Sequence, residues 1–210
     1  GGTYIGGDSF DSSFMWEKGT PYFGKHTLYE AAPGKMLKVP VSLFANICSW
    51  EQMNFFNGQK IKNDLENYYH YSKKDRKFKN LLTLTENNLG YSIFQSIEQS
   101  KLALSDNEQT DFFYSKMGIE IDELVSRTEY DQIIEKDINK ISNYLNEFLL
   151  RNNIQTSDID SLFLTGGTSM VPAVRNLFSN KFPDKPMHSG DNFISVAKGL
   201  AYSGYLFEDN

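Results

Sequence analysis

The sequence has a single cysteine, three histidines and no long apolar run among its 210 residues. One thiol, Cys48, excludes an intramolecular disulfide and a thiol-ligated zinc site, and this scarcity is typical of a reducing compartment, so we expect a cytoplasmic location. The histidines are scattered without the spacing of metal ligands, and Cys48 has no neighbouring base. The residue pattern therefore predicts neither a catalytic group nor a metal site.

Basic residues are fewer than acidic residues. Acidic residues number 27 and basic residues 21, which leaves a formal net charge of −6. The basic residues between Lys73 and Lys79 are interrupted by Asp75 and Phe78, and we interpret them as a solvated face. No stretch approaches the roughly 20 apolar residues that span a bilayer. We expect neither nucleic acid nor a membrane as a partner.

Aromatic residues are plentiful, with 2 Trp, 12 Tyr and 16 Phe, and 40% of the sequence is hydrophobic. This is enough apolar surface for a sizeable core in one or two domains. The chain opens without Met and enters a strand-like segment at Thr3–Ile5. We therefore expect it to be part of a longer protein.

A strand, a glycine turn and a helix are predicted in succession at two places. Thr3–Ile5 leads into Gly6-Gly7-Asp8 and a helix, and the buried-type strand Leu162–Leu164 leads into Gly166-Gly167 and a helix with Pro172 in its first turn. A last helix is predicted over Ser195–Leu206. This order indicates an α/β domain.

The intervening sequence is predicted to be mainly helical. We expect a loop over Lys18–Pro40 with at most short strands such as Met36–Val39, then helices from Val41 to Ser105. A hairpin turning at Gly118 precedes a long amphipathic helix capped by Thr128 and Asp131. We therefore assign residues 1–6 and 126–210 to one unit and residues 7–125 to an inserted helical unit.

The two glycine turns are the first candidate binding features. Glycine where a strand meets a helix lets a ligand approach the backbone, and the helix N-terminus favours an anion. A single Gly-Gly pair is more often a tight corner, but two around a βα framework favour a binding role. Asp8 and Asp11 are interpreted as caps of the helix that follows.

Glu98, Lys101 and Ser105 are the second candidate, because offsets of 0, 3 and 7 place them on one helical face. A carboxylate, an ammonium group and a hydroxyl in one row suit a ribose and the edge of a base. From spacing alone, an exposed ion pair between Glu98 and Lys101 is the preferred interpretation.

Three segments in order resemble the second lobe of the heat-shock-70 nucleotide-binding domain, a member of the actin-like ATPase superfamily. They are Ile5–Asp11 (IGGDSFD), Ile97–Ser105 (IEQSKLALS) and Leu164–Pro172 (LTGGTSMVP). Within this family the chain looks most like the bacterial YegD-like chaperone branch, on the segment 18–82 and the closing segment 189–201. The resemblance implies an actin-like, ribonuclease H-like α/β subdomain (IIA-like) with the inserted subdomain (IIB-like).

The resemblance also implies ATP or ADP as the ligand. By its pattern Glu98 and Lys101 contact the ribose, Ser105 contacts adenine, and Gly166, Gly167 and Thr168 run past the phosphates and adenosine, with Gly7 and Asp8 at the first turn. Two arginines that stack on adenine in the family are replaced by Leu102 and Met170. We hypothesise that these side chains hold the base by dispersion and burial.

Further departures bear on hydrolysis. Phe193 and Ile194 stand where the family usually carries an acid. The first lobe, which supplies the phosphate loop and Mg²⁺-coordinating acids, lies outside the sequence, so we expect no ATP hydrolysis by this chain alone. The resemblance implies the first lobe, client proteins and cochaperones as partners. A non-hydrolysing nucleotide sensor and a filament-forming or kinase relative remain alternative functions.

Overall fold

A computed structural model of the protein describes residues 2–189 and 200–202. The chain divides into two compact units, one formed by Gly1–Gly7 with Glu135–Asn210 and the other by Asp8–Ile134. Helices and strands are mixed, as an α/β protein requires. The helices are α1 Gly7–Phe14, α2 Val41–Ile47, α3 Gln59–Tyr71, α4 Arg76–Glu86, α5 Gly90–Asp106, α6 Arg127–Arg151 and α7 Pro172–Lys181. The strands are β1 Leu28–Ala32, β2 Lys35–Lys38, β3 Gln109–Lys116, β4 Ile119–Ser126, β5 Leu162–Leu164 and β6 Met187–Ser189.

Part of the core of the unit Asp8–Ile134 lies between α5 and the β3–β4 hairpin. The two strands pair antiparallel from Gln109↔Ser126 to Lys116↔Ile119. Alternate residues of each strand are buried, which is the period-2 pattern of a sheet with one covered face. The side chains buried in this core are Phe112, Tyr114, Ile119, Ile121 and Val125 from the strands, and Ile93, Ile97 and Leu104 from α5.

The hairpin turns through Met117 and Gly118, as the sequence predicts. Both residues have positive φ, 50° at Met117 and 81° at Gly118. Two successive left-handed residues are typical of a type I′ turn, whose twist matches that of the paired strands. The turn therefore sets the strand register.

The predicted loop over Lys18–Pro40 is wrong in its first part. Helix α1 continues as a π-helix over Met15–Gly19 and a 3₁₀ helix over Thr20–Phe23. Met15 and Phe23 are fully buried, and the Thr20 hydroxyl donates to the Trp16 carbonyl at 2.6 Å. Burial of these side chains outweighs the breaker residues, and the helical turns end only at Gly24, which has a φ of 98°.

The remainder of that segment forms a hairpin. Strands β1 and β2 pair antiparallel, so the expected short strand near Met36 is confirmed. Tyr29 of β1 meets Tyr68 of α3 edge to face, with 4.8 Å between ring centroids. This contact attaches the hairpin to the helices of its unit.

The N-terminal cap of α6 differs from the predicted Thr128 and Asp131. The Ser126 amide donates to Glu129 Oε2 at 2.9 Å, and the Glu129 amide donates to Ser126 Oγ at 3.2 Å. This reciprocal pair is a capping box two residues earlier than expected, and it forms because β4 delivers Ser126 directly to the helix. Among the apolar residues of this amphipathic helix, Tyr130, Ile134 and Leu149 are buried.

In the other unit, β5 pairs in parallel with β6. The strand at Leu162–Leu164 is confirmed, but its predicted burial is wrong, since Phe163 is 75% exposed and stacks on His188 with centroids 5.0 Å apart. Within the described residues β5 has one neighbouring strand and no layer covers the Phe163 face. Helix α7 begins at Pro172, as predicted.

The predicted strand at Thr3–Ile5 is not formed. No strand in the described part of the chain pairs with these residues, and a strand needs such a partner for its backbone hydrogen bonds. The helix expected after Gly6-Gly7 does form and begins at Gly7 itself. The predicted helix Ser195–Leu206 lies outside the described residues except at 200–202, which are helical, and Phe193 and Ile194 also lie outside them.

No helix in the ranges 2–189 and 200–202 combines the length and the apolar character needed to cross a membrane.

Candidate functional site

The predicted row of polar side chains lies on α5, beside the buried face of that helix. Ile97, Ser100 and Leu104 turn into the core, while Glu98 is exposed and Lys101 and Ser105 are partly exposed. Leu102, on the same side as Glu98 and Ser105, is 44% exposed. The helix thus presents a carboxylate, an ammonium group, a hydroxyl and an apolar side chain outside the core.

Lys101 is held from another helix. Its Nζ donates to Asp11 Oδ1 of α1 at 2.7 Å, and both side chains are only 14% exposed. The ion pair between Glu98 and Lys101 expected from spacing does not form in the described structure. Lys101 pairs with the largely buried Asp11 and not with the exposed Glu98, because two charges shielded from water interact more strongly than two exposed charges.

Burial raises the pKa of Asp11 above its usual range, and the charge and hydrogen bond of Lys101 offset part of that rise. The carboxylates of Asp8 and Glu98 raise the pKa of Asp11 further. The charge of Lys101 thus stabilises an Asp11 carboxylate that burial and two neighbouring carboxylates destabilise.

Asp11 was expected to cap α1, and that expectation is wrong. It lies in the second turn of the helix, past the amides that a cap would satisfy, and its carboxylate is engaged by Lys101. Asp8 lies in the first turn and is exposed, where a negative charge complements the helix dipole. Gly7 is the first residue of the helix.

Ser105 lies in the last turns of α5, and Arg127 fixes that end of the helix. The Ser105 hydroxyl donates to the Lys101 carbonyl at 3.2 Å, so its lone pairs remain to accept a donor. Arg127 donates from Nε to the Leu104 carbonyl and from Nη2 to the Asn107 carbonyl, both at 2.9 Å. A guanidinium on these carbonyls satisfies the helix end and complements its dipole.

The second glycine turn lies in the unit that contains Glu135–Asn210. Gly166 has a φ of 85°, and a Cβ built there would meet no atom of the described residues within 4 Å. A 3₁₀ helix follows over Gly167–Met170, and the Ser169 hydroxyl donates to the Gly166 carbonyl at 2.7 Å. The backbone conformation, not packing, requires glycine at 166, and the space beside it is open.

Arg175 stabilises this turn from α7. Its Nε donates to the Ser169 carbonyl at 2.9 Å. Thr168 and Met170 of the same turn are partly exposed, and Gly167 is exposed. The turn therefore presents backbone and two side chains around an open corner.

The predicted site residues fall into two groups. Asp8, Glu98, Lys101, Leu102 and Ser105 belong to the unit Asp8–Ile134. Gly7 and the turn Gly166–Met170 belong to the other unit. Each group is assembled within its own unit.

Sequence reasoning missed Arg127 and the role of Asp11. Both act across elements distant in the chain, Asp11 on a residue 90 positions away and Arg127 on one 23 positions away. No local spacing signals such contacts. Among the described residues no cluster of His, Cys, Asp and Glu could hold a metal ion, and Cys48 is buried.

A family model described as Hsp70 protein matches residues 54–209, which is more than half of the chain. The chain belongs to the Hsp70 family. The Hsp70 match includes both the row Glu98–Ser105 and the turn Gly166–Met170. Membership implies the actin-like ATPase fold, in agreement with the mixture of helices and strands in the described residues.

Several curated relatives carry heat-shock or chaperone names. The chain is 23% identical over 129 residues to a heat shock protein homolog of Lachancea kluyveri, covering 60% of the chain and 19% of the relative. It is 26% identical over 151 residues to a heat shock protein homolog of Saccharomyces cerevisiae, covering 70% and 21%. It is 24% identical over 116 residues to chaperone protein dnaK of Cyanidium caldarium, covering 52% and 19%. The matched part of the chain spans about a fifth of each relative.

Proposed function

We propose that this chain is the second lobe of an Hsp70-type ATPase domain and binds the adenosine and phosphate side of ATP or ADP. The observation that carries the proposal is the row on α5, where Lys101 and Ser105 stay outside the core while their neighbours Ile97 and Leu104 are buried. Polar side chains aligned on a partly exposed surface can bind a ligand, whereas they contribute little to a hydrophobic core. The Hsp70 match over residues 54–209 adds independent support.

In this proposal each group has a separate task. Glu98 and Lys101 bind the ribose hydroxyls, as a carboxylate acceptor and an ammonium donor. The Ser105 hydroxyl accepts from the amino group of adenine. Gly166, Gly167 and Thr168 run past the phosphates, where an open glycine corner lets the ligand reach the backbone. Gly7 and Asp8 border the phosphates at the first turn of α1.

In this proposal Leu102 and Met170 each supply an apolar contact to adenine, and these contacts are called the adenine slot. Leu102 is 44% exposed, so it is available to a ligand. An apolar slot holds a base by dispersion and burial, without the cation–π attraction that arginine planes supply. The adenine slot would therefore bind the flat face of adenine through apolar contacts, without a positively charged side chain.

Isothermal titration of ADP tests the binding function. We expect Lys101→Met and Ser105→Ala to weaken binding by about 10-fold each, the size of a lost hydrogen bond to a ligand. Leu124→Arg is the control, because Leu124 is an exposed apolar residue of β4 in the same unit. Unchanged ADP affinity in both Lys101→Met and Ser105→Ala would overturn the proposal.

The adenine slot has its own test. Leu102→Arg and Met170→Arg place the guanidinium planes of the family pattern back in the slot, and we expect each to change ATP affinity. No change in either variant would exclude a base slot at these positions, whatever the ribose variants show.

The finer assignments extend this proposal. Residues 1–6 and 126–210 would form the IIA-like subdomain and residues 7–125 the inserted IIB-like subdomain of a YegD-like protein in the cytoplasm. Hydrolysis would require the first lobe and its Mg²⁺, and client proteins and cochaperones would be the partners of the whole protein. We expect no Mg²⁺-dependent phosphate release from the chain alone, and measurable turnover in a clean preparation would contradict that.

A nucleotide sensor that does not hydrolyse ATP is the second candidate. The exposed apolar Leu102 favours it, because replacing a guanidinium stack removes attraction to the base. Phosphate release by the full-length protein separates the two candidates.

A further inference from the structure

The contact between Asp11 and Lys101 joins two helices that are far apart in the sequence. Lys101 Nζ donates to Asp11 Oδ1 at 2.7 Å, across 90 positions of the chain. Helix α1 cannot easily shift to release this contact, because Phe10 and Phe14 on either side of Asp11 are fully buried. The carboxylate therefore occupies a fixed position beside α5.

Aromatic side chains of two other elements pack against Phe14, next to this contact. The ring of Phe14 meets Phe112 of β3 edge to face at 5.1 Å and Tyr130 of α6 at 6.0 Å. The Tyr130 hydroxyl is buried and has no hydrogen-bond partner among the residues that the structure describes. Burial raises the pKa of Tyr130, and the charges of Asp11 and Asp131 raise it further. Asp11 thus stands between a packed aromatic cluster and the partly exposed row on α5.

A flexible lysine loses rotamer freedom when it binds a ligand, and that loss weakens binding. Lys101 has already lost it, because Asp11 holds the ammonium group in one place. One ammonium group has three donors. Asp11 accepts from one of them, which leaves donors that can reach a ribose hydroxyl without breaking the contact.

We propose that Asp11 is the positioning residue of the ribose subsite, holding Lys101 in its binding position before nucleotide arrives. This inference rests on the proposed function, since it assigns Lys101 to the ribose. Asp11 acts on the ligand only through Lys101. Its removal therefore has an effect only while Lys101 is present.

A double-mutant cycle measured by isothermal titration of ADP tests this dependence. We expect Asp11→Asn to weaken ADP binding by about 10-fold, as loss of one charge-assisted hydrogen bond does. In the Lys101→Met background the same substitution should cause less than about a 2-fold change. Asp11→Glu keeps the carboxylate and should restore at least half of the lost affinity on the free-energy scale.

Glu123→Gln provides the matched control. Glu123 of β4 accepts from Lys18 at 2.8 Å in the same unit, so this variant also loses one ion pair, but one that does not include Lys101. We expect Glu123→Gln to keep wild-type ADP affinity. Equal weakening in Asp11→Asn and Glu123→Gln would show a general loss of stability and would overturn the positioning role.

The remaining outcomes separate this inference from the proposed function. If Lys101→Met weakens binding and Asp11→Asn does not, or if the two effects multiply in the double variant, the positioning role is wrong and the ribose assignment stands. If neither Lys101→Met nor Ser105→Ala changes ADP affinity, the proposed function itself is wrong.

Discussion

Ser126 and Glu129 each donate a backbone amide to the other's side chain, at 2.9 and 3.2 Å, where the last residue of β4 becomes the cap of α6. The Ser126 hydroxyl also donates to Glu129 Oε2 at 2.9 Å. Lys18 reaches the other oxygen of Glu129 at 3.2 Å, and it also pairs with Glu123 of β4. One carboxylate therefore links the hairpin, the long helix and the helical extension of α1.

The first prediction concerns the pH dependence of this link. Hydrogen bonds from the Ser126 amide and hydroxyl, and then the Lys18 contact, lower the pKa of Glu129 from 4.5 to about 2. A lowered pKa gives stability that is complete above the unfolded value and is lost as the pH falls towards 2. Glutamine keeps an acceptor for the Ser126 amide but loses the negative charge that strengthens these hydrogen bonds and the Lys18 contact. We expect Glu129→Gln to cost about 1 kcal/mol at pH 7 and almost nothing near pH 2.

Urea unfolding at pH 7, 4 and 2.5 measures this difference. Glu147→Gln is the control, because Glu147 pairs with Arg151 on the same helix with both side chains exposed. That variant should cost less than about 0.5 kcal/mol at every pH. A Glu129→Gln deficit that stays constant from pH 7 to 2.5 would contradict the prediction.

The second prediction concerns the β3–β4 turn. Met117 has a φ of 50°, which strains the backbone of a residue other than glycine. Its side chain is 64% exposed, so burial does not compensate for this strain. Asparagine tolerates the left-handed region, and Asn-Gly is the preferred type I′ pair. We expect Met117→Asn to raise the free energy of unfolding by about 0.5–1 kcal/mol.

Thermal unfolding followed by circular dichroism checks this gain. Met36→Asn in β2 is the control, since Met36 is 48% exposed in a regular strand, and asparagine should not stabilise it. A lower or unchanged melting temperature for Met117→Asn would show that the turn is not under strain.

The third prediction compares two glycines with positive φ. A Cβ at Gly34 would meet no atom of the described part of the chain within 4 Å, whereas one at Gly24 would lie 2.7 Å from Cε1 of the buried Phe78. Gly34→Ala should cost about 1 kcal/mol from backbone strain alone, and Gly24→Ala about 2–4 kcal/mol because the clash adds to it. Denaturant unfolding measures both, and equal losses would mean that Phe78 moves aside freely.

The fourth prediction concerns Cys48. Burial raises the pKa of its thiol to about 12, although the charge of Lys25 offsets part of the rise. Since the thiolate is the reactive form, we expect the native thiol to react with an aromatic disulfide reagent at less than about one hundredth of the unfolded rate. The unfolded chain in guanidinium is the control. A native rate near that of the unfolded chain would place the thiol at the surface.

Elements with a strong local pattern could be predicted from the sequence. The hairpin around Gly118, the helix that carries Glu98–Ser105 and the glycine turn at 166 all formed near their expected places. The strand at Thr3–Ile5, the loop after Lys18 and the cap at Thr128 were wrong. In each of these three cases the outcome depended on residues distant in the sequence. Thr3–Ile5 has no paired strand among the described residues, the segment after Lys18 packs into the core, and the cap of α6 is the last residue of β4.

The sequence by itself determined which side chains share a helical face and where glycine must take a left-handed conformation, because periodicity and backbone sterics act over a few residues. The tertiary structure alone decided which carboxylate binds Lys101. Glu98, three residues away, was the local candidate, but the packing of α1 against the core brings Asp11 to 2.7 Å in a place shielded from water. An ion pair forms where burial and distance are most favourable, and both are properties of the packed molecule.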